Sequence, residues 1–156
     1  MTFGRGDAIL RYPELIEGYD FPLAEWIRGK GRRYVAVHIH ASSPHKVPPH
    51  PEILTGGLLR AGIPFVMLGS ESFDLPPNFR LHADVARRAA KFIGTLSVFN
   101  VVAQVSKIPS FVLVNRSIKE PHIYALMEAN RAQVVSWNVG DPIESIYADA
   151  VRWAGI

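Results

Sequence analysis

Short apolar runs rich in Val, Ile and Phe alternate along this chain with longer segments of helical pattern. The runs "RYVAVHI" (33–39), "PFVMLG" (64–69), "KFIGT" (91–95), "SFVLVN" (110–115) and "QVVSWN" (133–138) predict five strands. Their interiors are apolar at successive positions instead of alternating, as a parallel sheet covered on both faces requires. The segments between them are long enough for crossover helices. Repeated βαβ units with right-handed crossovers make an α/β fold, a three-layer, doubly wound parallel sheet of Rossmann-like kind.

The helices carry local signals. "HPEILTGGLLRAG" opens with Pro51 and closes at Gly62, and its paired Gly56 and Gly57 predict close helix–sheet packing. "SVFNVVAQVSK" has Ser97 as N-cap and is apolar on most sides, so it belongs in the interior. "KEPHIYALMEANRA" places Ile123, Leu126 and Met127 on one face. In "DPIESIYADAVRWAG", Asp141 is the expected cap, Pro142 the first helical residue and Glu144 the acid three positions after the cap. "ESFDLPPNFRL" (71–81) reads as a diproline loop ending in a short strand. Ahead of the first strand, "GYDFPLAEWIRGKGRR" reads as a short amphipathic helix and a link. The expected organisation is an extension over 1–32 and one α/β domain over 33–156.

Composition narrows the function. The 156 residues are 48% hydrophobic, enough for a full core, and no run of about 18 apolar residues predicts a membrane span. Cysteine is absent, which removes thiolate chemistry and suits a cytoplasmic location. The net charge of +3 is too small and scattered for a nucleic-acid surface, though it suits anionic small ligands.

Ligands of doubly wound sheets bind where strand C-termini meet helix N-termini, here at loops 38–50, 69–82, 95–98, 115–121 and 138–142. The first holds His38, His40, His45 and His50. A metal reading, with a small hydrolase built on His38 and His40, meets three prolines and no acid before Glu52, so no metal or other cofactor is expected. The plainer alternative has His38 buried and satisfied at the end of a core strand. A phosphate reading uses Ser42, Ser43 and Lys46, two hydroxyls and an ammonium close to a helix start. Thr95 and Ser97 flank the next helix start, with Asn100 and Gln104 as its polar strip, and Glu71 follows the second strand, within reach of a sugar hydroxyl. No Gly-x-Ser-x-Gly, Gly-x-Gly-x-x-Gly or Walker loop exists, so no catalytic set is assigned.

The ordered series "YVAVHIHASSPHKVPP", "GIPFVMLGSES" and "KFIGTLSVFNVVAQVSKIPSFVLV" resembles the C-terminal, donor-binding domain of GT-B glycosyltransferases of the heptosyltransferase-like kind, over roughly residues 33–140. The resemblance implies that Lys46 holds a donor diphosphate, with Ser42 and Ser43 as the small hydroxyl positions before it. It also makes Gly69 the glycine that ends the second strand, Glu71 the nucleoside-contacting acid and Ser97 the serine of Asp-Ser-Gly. Ala103 and Pro109 match further motif positions. Leu96, Val98, Val101 and Val47 stand where that family has Asp, Gly, His and Trp, which removes polar contacts and blocks close backbone approach. GT-B chemistry takes place between two such domains, and this length holds one. The implied function is binding of a nucleotide-diphosphate sugar, with transfer requiring a partner chain that supplies the acceptor domain, or a homo-oligomer. The alternative is a non-catalytic interaction domain that has lost the ligand site.

Overall fold

The computed structural model describes residues 33–40, 44–70, 72 and 75–155. The expected N-terminal extension therefore lies outside the described residues, as do Ser42, Ser43 and Glu71. All five predicted strands form: β1 (Val35–His38), β2 (Phe65–Met67), β3 (Lys91–Gly94), β4 (Ser110–Asn115) and β5 (Gln133–Trp137). They build one parallel sheet in the order β2-β1-β3-β4-β5. Five helices follow the strands in turn: α1 (Glu52–Arg60), α2 (Phe79–Arg88), α3 (Val98–Val105), α4 (Pro121–Ala129) and α5 (Ile143–Ala154). The fold is the Rossmann-like three-layer α/β arrangement that the strand pattern predicts.

Side-chain alternation along each strand divides the interior. Val35, Val37, Ile93, Phe111 and Leu113 face one way and pack with Leu54 and Leu58 of α1 and Ile143, Tyr147 and Ala150 of α5. Ala36, Val66 and Phe92 face the other way, under Leu81 and Val85 of α2 and Phe99 and Ala103 of α3. Val112 and Val114 extend that second layer beneath Met127 of α4. Burial of these apolar groups on both faces is the main stabilising term.

Four local expectations need correction. Residues 79–81 begin α2 and not a strand: Asn78 caps it, its Oδ1 accepting from the Leu81 N–H at 3.1 Å. Helix α5 starts at Ile143, and the Asp141 carboxylate accepts instead from the Asn138 N–H at 2.8 Å, closing the turn after β5. Gly57 permits helix–helix contact, since a Cβ there would meet Val151 Cγ2 of α5 at 2.9 Å. Strand β5 is an edge strand, and Gln133, Val134 and Ser136 are exposed, so it lacks the two covered faces of β1, β3 and β4.

Candidate functional site

The sheet order reverses between β1 and β3. The chain leaves β1 through α1 toward β2 on one side and leaves β3 through α3 toward β4 on the other. The crevice so formed is the place where this fold class accepts ligands. Backbone pairing carries the two strand ends into register there: His38 lies opposite Gly94, and the Thr95 N–H donates to the His38 carbonyl at 3.1 Å.

His38 is 6% exposed, and its Nδ1 lies 2.9 Å from Ser97 Oγ, a hydrogen bond whose direction the ring tautomer sets. Ser97 also caps α3, its Oγ accepting from the Asn100 N–H at 3.3 Å. Burial, together with the neighbouring His40 and His82, pushes the His38 imidazole down to about 4, so the ring is neutral near pH 7. Behind it, the Gly69 N–H donates to His82 Nδ1 at 2.9 Å, which leaves His82 Nε2–H to donate to the Pro76 carbonyl at 2.8 Å. Both ring nitrogens of His82 are thus committed in the neutral form, and burial lowers its proton affinity in the same direction. Gly69 sits at φ +89°, and a Cβ there would lie 2.8 Å from His38 Nε2. Its absent side chain is the space that the His38 ring fills.

The turn bearing Lys46 is a single 3-10 turn, Pro44–Lys46, laid over the ends of β3 and β4. Thr95 Oγ1 donates to the Lys46 carbonyl at 2.6 Å, and Asn115 Nδ2 donates to the His45 carbonyl at 2.9 Å. The Lys46 ammonium pairs with the Glu120 carboxylate at the start of α4. Thr95 itself is fully buried. Among the described residues no group of three or more His, Asp or Glu side chains converges as a metal-ligand set.

The structure therefore joins Thr95 to Lys46, Ser97 to His38, and Gly69 to both histidines. Asn100, placed in the site from the sequence, is fully buried: its Oδ1 accepts from Gln104 Nε2 at 2.8 Å and its Nδ2 approaches Met127 Sδ at 3.5 Å. Asn130 continues the chain, donating to Gln104 Oε1 at 2.9 Å and to the Ile108 carbonyl at 2.8 Å. This amide ladder ties α3 to α4. Removing one member leaves buried polar atoms unpaired, so Asn100→Ala will lose about 1–3 kcal/mol in urea denaturation and leave ligand affinity unchanged in calorimetry. The residues that sequence reasoning did not single out are His82, Asn115 and Glu120. Loop 115–121 was legible as part of the ligand edge, but pairing of its acid with Lys46 depends on the crossing of two distant loops.

A groove of about 870 Å³ opens at the opposite end of the sheet, where Arg33, Pro64, Lys91 and Arg152 line it. Its size does not make it the site. Lys91 Nζ is committed there to the Trp153 and Ala154 carbonyls at 2.7 and 3.3 Å, closing the C-terminus of α5, and the strand C-termini face away from it. Among the described residues no helix is long and apolar enough to cross a membrane.

No family model matches the chain, and no curated protein matches it in sequence. Among solved structures it is similar to the bacterial iron-containing dodecameric glycosyltransferase TibC from enterotoxigenic E. coli H10407, with 17% identity, a TM-score of 0.40, and coverage of 52% of this chain and 26% of that one. It is likewise similar to the dodecameric iron-containing heptosyltransferase TibC in complex with ADP-D-beta-D-heptose, with 16% identity, a TM-score of 0.43, and coverage of 70% and 31%. The chain thus spans about a quarter to a third of the length of those structures.

Proposed function

We propose that this chain is a glycosyltransferase-related donor-binding domain that holds the diphosphate of a nucleotide sugar in the crevice between β1 and β3. Transfer of the sugar would require an acceptor-binding domain beside this one. The observation that carries this reading is the hydrogen bond from Thr95 Oγ1 to the Lys46 carbonyl, which fixes the only lysine of loop 38–50 beside the start of α3 at the reversal of strand order. Lys46 supplies a point charge, while Ser97 and the first N–H groups of α3 supply donors and the positive end of the helix dipole. By their place in the sequence, Ser42 and Ser43 of the same loop and Glu71 of the loop after β2 are assigned to the site as well, with Glu71 as the ribose contact. Gly69 acts through packing, and Asn100 through its tie to α4. A cysteine-free chain with this chemistry suits the cytoplasm.

Calorimetric titration with ADP, UDP and their sugar conjugates tests the reading. Binding should weaken about ten- to a hundredfold in Lys46→Ala, the range expected for loss of one charge-assisted contact. No binding by the unmodified protein, or equal binding by the variant, would sink it.

A second reading, an interaction domain without a ligand, is favoured by one specific observation. The polar groups that would meet a phosphate already have protein partners: Lys46 has Glu120, Ser97 has His38, and Thr95 has the Lys46 carbonyl. It requires an assembly that covers the crevice, visible as an oligomer by light scattering and indifferent to every nucleotide.

A further inference from the structure

The Lys46–Glu120 pair is placed to exchange partners. Its two side chains are 21% and 29% exposed, so neither is locked in the interior. The turn that carries Lys46 does not depend on it, because Thr95 and Asn115 hold that turn through backbone carbonyls. Glu120 occupies the cap position of α4 yet makes no side-chain cap bond to that helix. Glutamate is not among the residues that cap helices well, so its carboxylate is not held by the free N–H groups and reaches to the ammonium of another loop. Partly exposed pairs of this kind are weak, and a diphosphate brings more negative charge and more acceptor oxygens to the same ammonium.

We propose that Glu120 is an internal stand-in for the ligand: it occupies Lys46 in the unliganded protein and must be displaced by the incoming anion. The competition sets selectivity, because a multiply charged diphosphate displaces the carboxylate more effectively than a monophosphate does. This rests on the donor-binding reading above and adds a specificity-determining residue to that site.

The test is a calorimetric cycle on the full chain with ADP, UDP and AMP, using the unmodified protein, Glu120→Gln, Lys46→Ala and the double variant. Glu120→Ser, which introduces a capping side chain, replaces Glu120→Gln if the latter melts at a lower temperature. The proposal expects Glu120→Gln to bind the diphosphates about tenfold tighter and to discriminate less against AMP. It also expects Lys46→Ala and the double variant to bind alike. Unchanged or weaker diphosphate binding by Glu120→Gln overturns it, and so does a gain that persists without Lys46. In either case the site reading stands if the unmodified protein binds. If none of the four proteins binds ADP or UDP, the site reading fails and the stand-in role fails with it.

Discussion

Acidification from about pH 7 to about pH 4 will remove roughly 3 kcal/mol of stability through His38 alone. The imidazole is neutral in the folded protein down to about 4, whereas in the unfolded chain it takes a proton near 6.5. Above the unfolded value neither state is charged, and the full stability is present. Between the two values the unfolded chain binds a proton that the folded one refuses, so stability falls as the pH falls. Below the folded value both states are charged and the loss levels off. His82 acts in the same sense, since burial lowers its proton affinity, an effect that the hydrogen bond to the Pro76 carbonyl only partly offsets. Urea denaturation at several pH values in this window, on the unmodified protein and on His38→Asn, isolates the His38 part. The asparagine can still hydrogen-bond Ser97 but does not titrate. Its curve should be flatter by about 3 kcal/mol across the window, and parallel curves would refute the assignment. A neutral His38 is no cation for a phosphate, so charge at the proposed site falls to Lys46.

The architecture was readable because the strands announce themselves. β1, β3 and β4 are covered on both faces, so their apolar runs have no polar interruptions to confuse the pattern. Ser97 was equally legible as a cap, because capping is local chemistry. Helix α2 was not, and the reason lies in its buried face. His82 and Asp84 are both fully buried, yet they are polar letters in an apolar period. Asp84 is tolerated there by ion pairs to Arg87 at 2.7 Å and Arg88 at 3.2 Å, one turn further along the same helix. At the site, the positions of Lys46, Thr95 and Ser97 at the ligand edge followed from topology. Their actual partners did not. Whether a serine hydroxyl faces ligand or a buried histidine depends on which loops meet, and His38 and Ser97 are 59 residues apart. The same holds for Asn100, whose amide a sequence can place on a helix but cannot assign to Gln104 and Met127 in preference to a ligand.

Phe99→Ala will be the most damaging single truncation at the floor of the crevice, with an expected loss of about 3–5 kcal/mol. The ring is 1% exposed and joins three others: His38 edge-on at 4.8 Å, Phe79 at 5.4 Å and His82 at 6.1 Å between centroids. Its removal takes apolar contacts from α2, α3 and the end of β1 together, and these elements cannot collapse inward without breaking the sheet register. The resulting space is bordered by two imidazoles and is therefore polar enough to admit water. Hydration removes the main cause of the low His38 proton affinity, which is burial. The His38 titration midpoint should then rise from about 4 toward its ordinary 6.5, read from its ring proton shifts by NMR. Phe99→Leu keeps most of the volume and should cost only about 1 kcal/mol, with the midpoint nearly unmoved. The two variants separate packing from electrostatics. A large stability loss without movement of the midpoint would mean that the His38–Ser97 bond, and not burial under Phe99, keeps the ring neutral. A loss below about 1 kcal/mol in the alanine variant would show that the aromatic floor does not hold the crevice together at all.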